Sequence, residues 1–384
     1  MRISEIGITK ENGRARLQAR VHWEDNARPD DTVFFETTDA FAEDIVISAD
    51  PFVAGCLVPA VHLGEKRLAV DGGLCPGLQE GLETAMGILS HWSGGRYRPL
   101  AIEAATSREN IPSSTARRAG LCLSGGIDSL AALRLNRLNY RKKDPWYIND
   151  GLMVHGFDIG GVVARGAKYP VFHRAMAAMT AVVDDAGITL VPVYTNVRHL
   201  CDERDLWLTY FFGAVLAAAG HALRGRLRLL FIASSYDIPN LHPCGSHPML
   251  DPEFSSQVLS VRHRDLALSR LEKHRIVAEW PAAFNNFRVC LANVPNLLNC
   301  GRCEKCVRTM TELTAIGKLQ DTRAFVEDSV TPEHFEGFDI TIRGRDLFYR
   351  DLLAPLAAQG RQDLVDTIRR KLGDADSHLT LLPK

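Results

Sequence analysis

Apolar and polar positions change their rhythm about a third of the way along this chain. In the first hundred residues the segments are short. Ile6–Ile8 and Ala15–Trp23 read as strands joined by Asn12-Gly13, a pair that favours the tight turn of a hairpin. Thr32–Glu36, Asp44–Ser48 and Tyr97–Ala104 read as further strands. Leu78–Trp92 reads as a helix stopped by Ser93-Gly94-Gly95. From about residue 119, strands at Leu121–Leu123, Leu152–Phe157, Ile188–Tyr194 and Leu227–Ala233 alternate with helices. Those helices are His173–Ala186, Leu206–Leu223 and, after a long loop, Leu266–Trp280. This alternation predicts an α/β fold, a parallel sheet with helices on both faces.

The pattern divides the chain into three parts. Residues 1–112 form an N-terminal α+β domain with no catalytic constellation; Asp71-Gly72-Gly73 within it reads as a plain turn. Ser107–Arg118 is polar and reads as a linker. Residues 119–317 carry the sheet, and 318–384 are a helical extension with a polar loop near Asp328–Phe338.

Composition adds exclusions. The 384 residues are 46% hydrophobic and 24% charged, with a formal net charge of −1, so no bulk field attracts nucleic acid or a membrane surface. The basic run Arg141-Lys142-Lys143 reads as a solvated loop. No apolar segment suggests a membrane span, and Met1–Glu5 has no signal-peptide pattern, so the expected compartment is cytoplasmic. Nine cysteines in such a chain favour a metal site over disulfides.

The chemistry concentrates in Leu123-Ser124-Gly125-Gly126-Ile127-Asp128-Ser129, between an apolar strand and a helix-forming run. A glycine turn opening a helix aims backbone N–H groups at one point, beside the positive end of the helix dipole, which suits a phosphate. Ser124 and Ser129 add hydroxyls. Asp128 would repel phosphate unless a cation lies between them, which argues for Mg²⁺. The loop is neither Gly-x-x-x-x-Gly-Lys-Ser/Thr nor Gly-x-Gly-x-x-Gly.

The second cluster is Cys290 with Cys300, Cys303 and Cys306, the last three in Cys-x-x-Cys-x-x-Cys spacing. Four thiolates suit a closed tetrahedral Zn²⁺ site, with an iron–sulfur cluster as the competing reading. A proline-rich loop, Leu241–Pro252, carries His242, Cys244, His247 and Asp251, read as pocket lining ahead of a metal site.

Ser-Gly-Gly-x-Asp-Ser resembles the PP-loop of the ATP pyrophosphatases. Together with the cysteine spacing, it makes residues 119–317 resemble the 7-cyano-7-deazaguanine synthase family. Phe157-Asp158-Ile159-Gly160 and Lys273 are weaker points of likeness. The family lacks the first 112 residues and the tail, and the His242–Pro252 loop departs from its substrate segment.

The resemblance implies the adenine nucleotide hydrolase-like PP-loop fold, with ATP, Mg²⁺ and Zn²⁺ as cofactors. Leu123–Gly126, Asp128, Ser129 and Lys273 would hold the phosphates, and Val154, Phe157 and Asp158 the adenosine. The implied reaction adenylates a carbonyl or carboxylate oxygen of a small, purine-like acceptor, and a nitrogen nucleophile then displaces AMP. Thiolation is the alternative, with Cys244, ahead of Cys122 or Cys201, as sulfur carrier. A nucleotide-sensing module without turnover is the other. A protein partner or macromolecular substrate for the N-terminal region, and a homodimer, stay open.

Overall fold

The computed structural model describes residues 1–107, 118–157, 159, 169–342 and 344–379. Ten strands form one sheet: β1 Arg2–Glu11, β2 Arg14–His22, β3 Asp31–Thr38, β4 Arg67–Leu74, β5 Ala101–Thr106, β6 Arg118–Cys122, β7 Ile148–His155, β8 Thr189–Thr195, β9 Leu227–Ala233 and β10 Ser260–Arg264. Their spatial order is β10-β9-β6-β7-β8-β3-β2-β1-β4-β5. The half from β10 to β8 is parallel; β3, β2 and β1 join antiparallel, and β4 and β5 again parallel. The molecule is α/β, with a mostly parallel sheet flanked by helices.

Period-two alternation sorts the strand residues onto two faces. Leu152, Val154, Leu230 and Ile232 face one core with helices Asp50–His62, Pro76–Trp92 and Phe212–Ala222. Met153, Leu229 and Phe231 face the other with Ile127–Asn139, Tyr169–Ala186 and Glu304–Ala315. The first core is shared between the N-terminal residues and the parallel half. Gly55 allows the close approach: a Cβ there would lie 3.2 Å from Val197 and 3.4 Å from Ala218. The expected domain division therefore marks no break in the sheet, because β3 pairs β8 through Phe35↔Thr195 and Glu36↔Tyr194.

The hairpin turns where expected, with Asn12 and Gly13 at φ 51° and 74°. Other local readings are corrected. Asp44–Ser48 is not a strand. A 3₁₀ turn, Asp39–Asp44, runs into irregular chain tied to the parallel half, where Gly225 N–H donates to Asp44 O and Arg226 pairs with Asp44. Asp71-Gly72-Gly73 is not a free turn but part of β4, at a shift in its register with β5. The expected helix Leu206–Leu223 contains a π turn over Trp207–Phe211. Most of the expected linker, residues 108–117, lies outside the described residues.

Candidate functional site

Within the parallel half, β6 is followed on one side by β7 and β8, and on the other by β9 and β10. The chain reverses direction across the sheet at β6. Ligands of such sheets bind outside the carboxyl ends of the strands at this reversal point. Leu123–Gly126 lies there, between β6 and the helix Ile127–Asn139. Gly125 has φ +75°, a conformation that glycine tolerates best, and a Cβ on it would lie 3.0 Å from Met179 Sδ. Gly126 caps the helix, so the first-turn N–H groups have no intrahelical carbonyl to meet.

Ser124 Oγ accepts from Gly126 N–H at 3.2 Å and lies 3.4 Å from Ser129 Oγ, which donates to Gly126 O. The Arg288 N–H donates to Gly125 O at 2.8 Å. The turn is thereby fixed from a segment 163 positions away in sequence.

The loop opens on a cavity of about 630 Å³. Leu123, Ser124, Gly126, Asp128 and Ser129 line it, as do Val154 and Phe157. Asp158 lies outside the described residues. Cys244 and His242 are on its wall, in keeping with pocket lining. His247 and Asp251 instead serve the structure. Asp251 is fully buried and accepts from Ser246 Oγ at 2.6 Å, with His263 Nδ1 at 2.7 Å, and His247 packs edge-on against Trp92.

Asp128 and Lys273 differ from expectation. Arg270 Nη1 lies 2.8 Å from both Asp128 oxygens. Its Nε is 3.3 Å from the buried Glu312, which also meets His274 Nε2 at 3.0 Å. Burial alone would raise the Asp128 carboxyl, but Arg270 and then Lys273 outweigh it and hold it low. Both Asp128 oxygens accept from Arg270, so the carboxylate is already neutralised by a guanidinium at the turn. Lys273 is 1% exposed and is not on the cavity wall; its ammonium donates to Ser234 O at 2.7 Å and stands 3.7 Å from Asp128. The arginine that sequence reasoning passed over, Arg270, does reach the wall. The signal was available: Arg270 lies one helical turn before Lys273, on the same face. Arg204, Arg288, Lys305, Arg308 and Arg345 also line the cavity, against Asp128, Asp205 and Glu304, so the wall carries a cationic excess. Arg345 and Phe348 come from the C-terminal extension, where no chemistry was expected.

Comparison with protein families, curated proteins and solved structures finds no match to this chain.

The four-cysteine cluster assembles as expected. The sulfurs of Cys290, Cys300, Cys303 and Cys306 all lie within 4.8 Å of one another, and none is in a disulfide. Cys300–Cys306 is 3.8 Å and Cys303–Cys290 is 4.0 Å. Zn–S bonds of about 2.3 Å in a regular tetrahedron give S···S edges of about 3.8 Å. Gly301, at φ +69°, makes the turn, and the N–H groups of Arg302 and Cys303 donate to Cys300 Sγ. Asn299, 2% exposed, clamps the cluster: its Oδ1 accepts from Val289 and Cys290, and its Nδ2 donates to Phe287 O and Ala324 O. This set could hold a metal such as zinc.

Proposed function

We propose that the chain is an ATP pyrophosphatase of the PP-loop kind. It would use ATP to adenylate an oxygen of a small, purine-like acceptor and pass the activated group to a nitrogen nucleophile. One observation carries the reading: the Ser-Gly-Gly-x-Asp-Ser turn, with its helix N-terminus, sits at the reversal point of a parallel sheet and faces a cationic cavity. The four-cysteine set fits Zn²⁺ as a closed structural site.

The roles follow from position. The first-turn N–H groups, with Ser124 and Ser129, meet the β and γ phosphates, and Arg270, held beside that turn by Asp128, adds charge. Asp128 orients Arg270, and Lys273 fixes Asp128 against Ser234 O. Val154 and Phe157 offer an apolar bed for adenine. An oxygen leaving group is poor until it carries AMP, so holding the acceptor oxygen in line with the α phosphate is the main task of the cavity. Nitrogen chemistry is favoured over sulfur transfer because burial pushes the Cys244 thiol up and leaves it little thiolate character.

The test is product analysis. The protein is incubated with MgATP, ammonium and a panel of purine- and deazapurine-carboxylates. AMP and pyrophosphate, formed with an amide or nitrile, are expected. ADP and phosphate as the only nucleotide products, or no ATP binding, would overturn the reading.

A further inference from the structure

We propose a second metal site, outside the four-cysteine cluster, in which His62, Cys201 and Glu203 hold one Zn²⁺ and leave its fourth position to water. His62 ends the helix Asp50–His62, and Cys201 ends the 3₁₀ turn Val197–Cys201 that follows β8. The fold brings these distant residues together. His62 Nε2 is 3.1 Å from Glu203 Oε1, and Cys201 Sγ is 3.8 Å from the same oxygen. One donor atom from each residue lies within 4.8 Å of the other two. Bonds of about 2.0–2.3 Å from a tetrahedral Zn²⁺ to nitrogen, oxygen and sulfur place such donors about 3.3–3.7 Å apart, so small adjustments close the triangle.

The surroundings have the character of a ligand shell. The second ring nitrogen of His62, Nδ1, lies 2.9 Å from Tyr97 Oη, and Tyr97 is itself held edge-on by Tyr210. A metal-bound histidine characteristically bonds an outer partner through its other nitrogen. One thiolate, one imidazole and one carboxylate suit Zn²⁺, and too few oxygens are present for Ca²⁺ or Mg²⁺. Cys201 is 5% exposed, so the sulfur sits on the buried side of the triangle. Without metal, His62 Nε2 and the Cys201 thiol both bond the same Glu203 oxygen, the arrangement that a cation at their centre would replace. Arg204 and Asp205, the next two residues, are on the cavity wall. The ion would therefore clip the N-terminal helix to that wall.

The test counts metal on the full chain, loaded with Zn²⁺ at mildly alkaline pH and freed of excess by gel filtration. Two zinc ions per chain are expected by elemental analysis. One is expected in His62→Gln, Cys201→Ser and Glu203→Ala. The Glu203 side chain is 62% exposed, so its removal does not threaten the fold and that variant decides if the others misfold. A single zinc in the unaltered chain, or a second zinc retained by Glu203→Ala, would overturn the proposal.

Discussion

Arg270 holds Asp128 through one guanidinium nitrogen placed 2.8 Å from each carboxylate oxygen, and only 9% of the Arg270 side chain is exposed. Its other partner, Glu312, is 1% exposed. Removing the cation leaves the buried Glu312 and the partly buried Asp128 without their shared guanidinium. Arg270→Ala should destabilise the chain by about 3–5 kcal/mol, the usual cost of breaking a buried pair. Denaturant midpoints measure this, and a change within the scatter of surface substitutions would contradict it.

Ser124→Ala separates chemistry from folding better than Asp128→Ala. The Asp128 change strips Arg270 of one of its two carboxylate partners, whereas Ser124 contributes a single hydroxyl at the turn. Ser124→Ala should keep the melting temperature and lose about 10- to 100-fold in AMP formation, the worth of a hydrogen bond to a charged group. Unchanged turnover would remove Ser124 from the phosphate site.

Metal at the four cysteines should govern stability as well as composition. Arg288 donates to Gly125 O and stands two residues before Cys290, so the cluster also anchors the glycine turn. Cys300→Ser or exhaustive chelation should lower the melting temperature and weaken nucleotide binding together. Structural zinc is worth about 10–16 kcal/mol in peptides, so the loss is large. Iron and sulfide in the purified protein would replace zinc in this account.

Acid should unfold the chain partly through Glu312. Burial raises its carboxyl, but Arg270 and His274 outweigh burial and bring it to about 2. The unfolded value is about 4.3, so this stabilisation is complete above that pH and is lost as pH falls toward 2. The contribution is on the order of 3 kcal/mol by the same linkage. Glu312→Gln should flatten the acid limb of stability against pH. A limb of unchanged slope would place the acid sensitivity elsewhere.

Cys244→Ser should keep most activity with ammonia as donor, because the thiol needs no reaction in amide or nitrile formation. Loss of a sulfur-containing product in this variant, with AMP release preserved, would shift the reading to thiolation.

The parallel half was legible because its strands are apolar and its helices periodic. Helix Asp50–His62 was missed because it is apolar on all sides and carries Pro51, Gly55 and Pro59, residues that read as breakers. Strand β10, Ser-Val-Arg-His-Arg, is too polar to announce itself. The Ser-Gly-Gly-x-Asp-Ser turn and the cysteines were legible because each is a pattern local in sequence. Arg270, Arg345 and Phe348 were not, since their place at the cavity depends on how distant helices pack. The union of β3 with β8 left no local trace either.

That union fixes what the N-terminal region does for the rest of the chain. Without it, β8 would be an outer strand with unpaired amides, a template for adding strands from other molecules. β3 occupies that position, and Asp50–His62 covers the Ala214–Ala219 stretch of the apolar helix beneath. A chain shortened to begin at residue 118 would expose both at once. The first hundred residues thus close the open edge of the parallel half and cover one of its apolar faces.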